Sequence, residues 1–309
     1  MNSEHSDSKP SLLRGVFAAS PTPLDEDLYP DHGAFAAHCR RLLGAGCHGV
    51  AVFGTTGEAT SLSVVERLAA LEALIAGGVP GEALLPGTGS SALTDTVRLS
   101  RAALDAGTAG VLVLPPFYYK GIDDDGLFRF FAEVVERVDD DRLRLYLYHI
   151  PHLTSVGFGL EVIARLLEAY PGAVVGTKDS SGDAERIATL CREFPGFSVL
   201  AGTETLLLDS LREGGAGCIS ATVNVTSRLA RRVHDAHQAG KSDEAEALQR
   251  RLTELRVHIE AYPMIPALKR LISELTYDEG WRNLRPPLSA LDEACAEDLL
   301  SRLPLSELL

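Results

Sequence analysis

Short apolar segments rich in β-branched residues alternate along the chain with longer segments whose apolar residues recur at helical intervals. Most of these apolar segments begin roughly 25 to 35 residues apart, the length of one strand and one helix, which is typical of a parallel sheet covered by helices. Eight of them lie at residues 15–19, 49–53, 83–87, 110–114, 143–149, 174–178, 198–202 and 217–221. Eight such units predict an α/β protein that forms a (β/α)8 TIM barrel.

Capping signals and periodicity support the helices between these strands. Ser63 and Glu66 have the spacing of a capping box, and apolar residues follow them at helical intervals. After the eighth strand only helical segments remain, at 227–240, 242–261, 265–275 and 292–303. We therefore predict a barrel domain with a polar N-terminal tail over residues 1–226 and a C-terminal helical extension over residues 227–309.

Charge and composition narrow the possible partners. The 309 residues carry a formal net charge of −14 at pH 7, which repels phosphate backbones and anionic membrane surfaces, so we expect no nucleic acid and no membrane partner. The first ten residues are polar and lack a secretory apolar core, and no stretch of 18 apolar residues follows. The sequence predicts a soluble, cytoplasmic protein.

Cysteine and histidine spacing argues against a metal site. The five cysteines are scattered and contain no Cys-x-x-Cys pair, which favours reduced thiols. Two histidine pairs have a spacing of three residues, but neither belongs to a recognised zinc motif: His149 with His152, and His234 with His237. We expect neither a metal nor an organic cofactor.

Lys178 is the main candidate for chemistry, because it lies in the strand-like segment Ala173-Val-Val-Gly-Thr-Lys-Asp179. Strand alternation predicts that Val174, Gly176 and Lys178 share one face, so the amine would point toward core residues. Burial disfavours the charged ammonium, and a neutral amine can attack a carbonyl carbon. The alternative is that Lys178 sits at the end of a strand with its ammonium in water.

Two further candidates follow neighbouring strands of the predicted barrel, whose reactive groups lie at the C-terminal ends of the strands. Tyr148 ends the fifth strand, about 4.8 Å from the sixth, so its hydroxyl could relay protons to or from Lys178. The loop Gly54-Thr-Thr-Gly-Glu58 offers backbone N–H groups and two hydroxyls to a carboxylate. The alternatives are a core aromatic at Tyr148 and an ordinary strand-to-helix turn at residues 54–58.

Four short motifs together resemble the dihydrodipicolinate synthase and N-acetylneuraminate lyase family of class I, Schiff-base-forming aldolases. They are Gly54-Thr-Thr-Gly-Glu58, Pro116-Phe-Tyr-Tyr119, Tyr148-His-Ile-Pro151 and Gly176-Thr-Lys-Asp179. The resemblance extends over nearly the whole chain. It implies a (β/α)8 barrel with a C-terminal helical region, assembled as a homotetramer of two tight dimers.

The resemblance also implies roles for individual residues. Lys178 would form an imine with pyruvate or another 2-oxo acid, while Tyr148 shuttles protons. Thr55 and Thr56 would bind the carboxylate of the 2-oxo acid, and Thr55 would join the proton relay. Tyr119 would complete that relay from the neighbouring subunit. The remaining positions implied to line the substrate site are Gly54, His152 and Leu153, together with Gly202 and Ile219, which would line it with their backbone.

Leu153 departs from the synthase branch of the family, which carries an arginine there to bind the carboxylate of its aldehyde substrate. A leucine cannot make that contact, so the lyase and 2-keto-3-deoxy acid aldolase branches are the closer match. His149 replaces the asparagine usual in the family. His149 and His152 are either specificity residues or, in the case of His149, a residue that faces the helix layer.

The leading prediction is therefore a lyase or aldolase that cleaves or forms a carbon–carbon bond next to a pyruvate-type imine on Lys178. Its substrates would be a 2-keto-3-deoxy acid or related compound, or pyruvate with an aldehyde. Three alternatives stay open: a 4-hydroxy-tetrahydrodipicolinate synthase acting on aspartate semialdehyde, a dehydratase or hydratase-aldolase, and a non-catalytic 2-oxo acid binding protein.

Overall fold

A computed structural model describes residues 12–308 and shows one parallel sheet with the strand order β2-β1-β7-β6-β5-β4-β3. The polar tail predicted for the first ten residues lies outside the described range. The seven strands of the described part are β1 Gly15–Ala19, β2 Gly49–Ala51, β3 Val111–Val113, β4 Leu145–His149, β5 Val174–Asp179, β6 Ser198–Ala201 and β7 Gly217–Ser220.

The third predicted strand, residues 83–87, is not a regular strand, and the expectation of eight regular strands is wrong on this point. It nevertheless lies between β2 and β3, to which single parallel bridges connect it at Leu84 and Gly87. The amide of Gly87 donates to Val52 O at 2.7 Å, and the amide of Leu112 donates to Pro86 O at 2.9 Å. Because Pro86 has no N–H and its carbonyl faces β3, the ladder toward β3 lacks a donor at this residue. The segment still fills the eighth place of the barrel, and the predicted TIM-barrel fold is confirmed.

Helices surround the sheet and continue beyond it. In the described part they are α1 His32–Gly44, α2 Val64–Ala76, α3 Leu93–Asp105, α4 Asp124–Val138, α5 Pro151–Thr154, α6 Leu160–Ala169, α7 Ala184–Glu193, α8 Leu207–Arg212, α9 Val223–Gln238, α10 Ser242–Glu260, α11 Met264–Thr276 and α12 Glu293–Ser301. The capping box predicted at Ser63 and Glu66 is present at the start of α2. None of the helices in residues 12–308 is both long and apolar enough to cross a lipid bilayer.

The helical segments predicted after the last strand correspond to α9 to α12. Helix α9 begins at Val223, earlier than the predicted residue 227, and packs against β1 as well as α10. Apolar residues of α9, α10, α11 and α12 form a cluster of their own, which includes Val225, Leu255, Leu271 and Leu299. The extension is therefore packed directly onto the barrel.

Two apolar layers follow from the alternation of side chains along the strands. One lies between the sheet and the helices, and the other fills the inside of the barrel with Phe17, Leu112, Tyr146, Leu200 and Ile219 among others. The hydroxyl of Tyr146 accepts a hydrogen bond at 2.9 Å from the amide of Leu13, which precedes β1. Side chains thus fill the barrel interior, and open space is left at the C-terminal ends of the strands.

A register shift in β5 decides which side chains enter the barrel. Leu145 pairs with Val174, but the next residue, Tyr146, pairs with Gly176, so Val175 is an extra residue. Val174 consequently belongs to the outer layer, whereas Gly176 lies beside the inward-pointing ring of Tyr146. The prediction that Val174 shares a face with Lys178 is wrong, because simple alternation ignores this bulge.

We expect Gly176→Ala to lower the free energy of unfolding by about 1–3 kcal/mol, because a methyl group there overpacks the barrel interior. A Cβ atom at this position would lie 2.5 Å from Ser198 O and 2.6 Å from the Tyr146 ring. Urea denaturation followed by circular dichroism measures the change. Gly44→Ala in α1 is the matched control, because a Cβ there meets nothing within 4 Å; equal stability of the two variants would contradict the prediction.

Candidate active site

Lys178, Tyr148 and Thr55 form a continuous polar chain at the C-terminal mouth of the barrel. The Nζ atom of Lys178 donates to the Tyr148 hydroxyl at 3.2 Å, and that hydroxyl lies 3.2 Å from Thr55 Oγ1. Both long side chains are buried, with Lys178 5% and Tyr148 3% exposed. If the amine donates to the phenol oxygen, the phenol proton is free to point at Thr55, so the three groups can pass a proton along the chain.

The sheet fixes this geometry. Tyr148 and Lys178 are paired residues of adjacent parallel strands, and Lys178 is also paired with Leu200 of β6. The amine lies 4.4 Å from the centre of the Tyr148 ring, which adds a cation–π contact when the amine is charged. Because both side chains leave rigid strands at the same level, their relative position needs little further ordering when a ligand binds.

A cavity of about 850 Å³ opens above Lys178 and reaches the C-terminal extension. Its wall carries hydroxyl groups, apolar side chains and few charges. The residues that line it include Thr56, His152, Leu153, Ser180, Gly202, Thr203, Thr205, Arg256, Glu260 and Ser289. A carboxylate ligand that reached Lys178 would therefore meet threonine hydroxyls at one end and a largely uncharged wall at the other.

A second, smaller cavity of about 300 Å³ lies on the other side of Tyr148 and is mostly apolar. Gly54, Leu112, Leu114 and Phe117 contribute to its wall. Thr55, Tyr148, Ile150 and Leu153 line both cavities. Thr55 and Tyr148 therefore belong to the walls of both cavities, whereas Lys178 lines only the larger one.

Buried polar contacts hold the loop at residues 54–58 in place. The carboxylate of Glu58 forms a fully buried ion pair with Lys269 of α11 and accepts the amide N–H of Arg285 at 3.0 Å. On the other side, Thr22 Oγ1 donates to Gly57 O at 2.8 Å. This ion pair was not predicted from the sequence. The sequence does contain a signal for it, because Lys269 lies among apolar residues of a predicted helix. A lysine in an apolar segment is also what indicated Lys178.

A second buried cluster lies at the cavity wall beside β6 and β7. The fully buried carboxylate of Glu204 accepts hydrogen bonds from Ser220 and Thr222, and lies 3.3 Å from Arg256 Nη1. Arg256 Nε also donates to Glu260 at 2.8 Å. Burial would lower the pKa of the Arg256 guanidinium, but Glu204 and Glu260 raise it above the ordinary value, so the group stays charged. These residues were not predicted from the sequence either.

Asp179 and His149 face the helix layer rather than the cavity. Arg186 Nε lies 2.7 Å from Asp179 Oδ2, and His149 Nδ1 accepts the amide N–H of Phe158 at 3.1 Å. Burial, partly opposed by Asp179, lowers the pKa of His149 to about 4, so the imidazole is neutral near pH 7. The sequence left two interpretations of His149 open, a specificity residue or a residue that faces the helix layer, and the structure shows the second. These contacts anchor the strand ends that carry Tyr148 and Lys178.

The structure does not bring every predicted residue into the site. Tyr119 is 72% exposed, lines neither cavity, and packs edge-to-face on Tyr118 with 5.4 Å between ring centres. The side chain of Ile219 is fully buried in the barrel interior, and the role expected of its backbone stays a prediction. Leu153 lies at the cavity mouth and is 56% exposed. The role of Tyr119 across a subunit contact stays a prediction.

Two further substrate-binding candidates, Thr56 and His152, line the larger cavity, and Gly54 lines the smaller one; their roles in binding stay predictions. Thr56 is buried at the wall of the larger cavity, and exposed His152 lies beside Leu153. Gly202 packs against Ser180, where a Cβ atom would lie 2.1 Å from the serine oxygen. Only glycine leaves room for that hydroxyl at the cavity wall.

Comparisons with known proteins agree with this architecture. A model of the dihydrodipicolinate synthetase family matches residues 12–303. An uncharacterised DapA-like lyase of Chloroflexus aurantiacus is 39% identical over 90% of this chain and 92% of its own length. Dihydrodipicolinate synthase from Agrobacterium tumefaciens has a TM-score of 0.84 and 34% identity, with 93% of this chain and 97% of that chain covered. YagE from Escherichia coli K12, solved in complex with pyruvate, has a TM-score of 0.87 and 27% identity, with 96% and 99% covered.

The match to the family model spans nearly all of the described residues, and the same residues form the barrel, its helical extension and the polar chain at its mouth. The chain belongs to the dihydrodipicolinate synthetase family and is an enzyme of its class I, pyruvate-dependent lyase and aldolase type.

Proposed function

We propose that the protein makes or breaks a carbon–carbon bond next to a pyruvate-type imine on Lys178, with a 2-keto-3-deoxy acid or a related compound as substrate. The observation that carries the proposal is the hydrogen-bonded chain of Lys178, Tyr148 and Thr55 at the floor of an open cavity. A binding protein without turnover would need neither a buried amine nor a proton relay attached to it. The pyruvate complex of the similar YagE supports pyruvate as one reactant.

The reaction would begin when the Lys178 amine adds to C2 of the 2-oxo acid. Proton transfer through Tyr148 turns the C2 oxygen into water, which leaves, and a protonated imine forms. Thr55 and Thr56 would hold the carboxylate with their hydroxyls and the loop amides. In the cleavage direction the C4 hydroxyl loses its proton, the C3–C4 bond breaks, and its electron pair moves toward the imine nitrogen. An aldehyde leaves, C3 takes up a proton, and water hydrolyses the imine to release pyruvate.

The cavity wall supports a second substrate that carries hydroxyl groups. Three hydroxyl-bearing residues, Ser180, Thr203 and Thr205, line the cavity. The guanidinium of Arg256 is already paired with the two carboxylates of Glu204 and Glu260, so it is not an unopposed cation for a substrate carboxylate. Hydroxyl groups can donate to Glu260 and accept from Arg256 without leaving a buried charge unpaired.

A 4-hydroxy-tetrahydrodipicolinate synthase is the second candidate, and the similarity to the Agrobacterium synthase favours it. Its aldehyde, aspartate semialdehyde, carries a carboxylate. Leu153 at the cavity mouth cannot bind that group, which is why we rank this activity second. A dehydratase or hydratase-aldolase would use the same imine, and its product would distinguish it.

We also propose that the enzyme works in the cytoplasm as a homotetramer built from two tight dimers. The exposed aromatic pair Tyr118 and Tyr119 supports this assembly, because two adjacent tyrosines that are each 72% exposed suit a subunit contact. In such a dimer Tyr119 would reach the relay of the neighbouring subunit.

Incubation with pyruvate and sodium cyanoborohydride should attach a reduced pyruvyl group to Lys178 and to no other lysine. Hydride adds to C2 of the imine, so the amine becomes a stable secondary amine that peptide mass spectrometry detects. Lys269 is an internal control, because it is also buried but is held by Glu58. A folded wild-type protein that stays unlabelled at saturating pyruvate would contradict the proposed function.

Tyr148→Phe should slow imine formation about 10²-fold or more, because it removes the proton relay and leaves the ring in place. The time course of labelling at saturating pyruvate measures this rate. Tyr146→Phe is the matched control, because Tyr146 lies on the same face of the same strand but its hydroxyl accepts a hydrogen bond from Leu13 N and is not hydrogen-bonded to Lys178. Equal labelling rates for the two variants would exclude Tyr148 from the relay.

Leu153→Arg should raise kcat/KM for aspartate semialdehyde about tenfold, because a charge-assisted contact to its carboxylate contributes about 1.5 kcal/mol or more. Leu153→Met controls for side-chain length without the charge. The assay follows condensation of pyruvate with aspartate semialdehyde, beside pyruvate release from a panel of 2-keto-3-deoxy acids. A wild-type enzyme that prefers aspartate semialdehyde to that panel would instead establish the synthase activity.

A further inference from the structure

We infer that the buried ion pair between Glu58 and Lys269 positions Thr55 and Thr56, so that helix α11, outside the barrel, sets the affinity for the 2-oxo acid. The inference rests on the proposed function of the site. It assigns to Glu58 and Lys269 a positioning role, since neither residue lines the cavity at Lys178.

The loop that carries the threonines is conformationally strained. Phe53 and Glu58 flank it with φ angles of 56° and 55°, in the left-handed region that side chains other than glycine rarely adopt. Each such residue costs about 1–3 kcal/mol unless its surroundings impose the conformation. The loop closes on itself through two 3.1 Å bonds, from Gly57 N to Gly54 O and from Glu58 N to Thr55 O. An external tether is therefore needed to hold the loop in this shape.

Glu58 provides that tether. Its carboxylate and the Lys269 ammonium are both fully buried, and each has a second partner: Arg285 N–H for Glu58 at 3.0 Å, and Asn283 O for Lys269 at 2.7 Å. Arg285 Nη1 additionally donates to Ser61 O at 2.6 Å, just beyond the loop. Glu58, the one charged residue of the loop, thus fixes the loop to helix α11 and to the segment at residues 283–285.

Stability alone does not account for such a pair. The desolvation of two charges cancels most of their attraction, and well-packed neutral side chains of similar volume are often equally stable. A neutral pair lacks the directional, charge-assisted hydrogen bonds that fix the carboxylate of Glu58. Because the loop is short, fixing Glu58 also fixes the hydroxyls of Thr55 and Thr56. We therefore expect the charged pair to matter for the position of Thr55 and Thr56 more than for the stability of the fold.

The double variant Glu58→Gln/Lys269→Met separates positioning from stability. It leaves no buried charge and keeps the side-chain volumes, so its thermal stability should stay close to that of the wild type. We expect the pyruvate concentration that gives half-maximal cyanoborohydride labelling of Lys178 to rise at least tenfold. The limiting labelling rate should fall less than in Tyr148→Phe, because the displaced Thr55 belongs to the relay whereas Tyr148 and Lys178 stay in place. Leu42→Ala, a fully buried change in α1, serves as a destabilised control whose half-saturating pyruvate should not move.

A double variant with the wild-type half-saturating concentration would overturn the inference and leave the proposed function intact. Absence of labelling in the wild type would overturn the proposed function and this inference with it. If the double variant does not fold, Glu58→Gln alone is assayed at pH 9. Burial lowers the pKa of Lys269 and Glu58 raises it, so loss of the carboxylate favours the neutral amine and a folded chain at high pH. If Glu58→Gln and the wild type have the same half-saturating pyruvate concentration at pH 9, the inference is again overturned.

Discussion

A buried amine that must stay reactive is the constraint on which the rest of the site depends. Lys178 is almost completely removed from water, yet its hydrogen-bond partner is the hydroxyl group of Tyr148 and not a carboxylate. A carboxylate in that place would hold the amine in its charged, unreactive form. Lys269 shows the contrast, because its fully buried amine is paired with Glu58. The same residue type is thus suited to chemistry at one position and to structure at the other, according to its partner.

The reactive groups belong to the barrel, and buried ion pairs with the helical extension hold the loops around them in place. Glu58 connects the loop after β2 to α11, and Glu204 connects the loop after β6 to Arg256 of α10. Both contacts are buried, and both join loops at the cavity to helices that follow the barrel in the chain. Because such buried charges are costly when unpaired, the extension and the barrel mouth must form together.

Much of the fold could be predicted from local patterns because strand and helix periodicities are local properties. Periodicity identified the strand and helix order, the capping box at Ser63, and the loops at the barrel mouth. It failed at residues 83–87, where Pro86 interrupts the ladder, and at Val174, where a bulge in β5 reverses the expected face. Both errors concern pairing with neighbouring strands, about which a single segment carries no information.

The sequence by itself determined the order of elements, the class of fold, and the set of residue types able to form an imine and relay protons at the ends of strands. Only the tertiary structure decided which lysine has a hydroxyl partner and which has a carboxylate partner. Glu58 and Lys269 are 211 positions apart, so no local pattern could pair them. Their contact exists because closure of the barrel brings the loop after β2 against the helical extension, where each buried charge needs the other as its counter-ion.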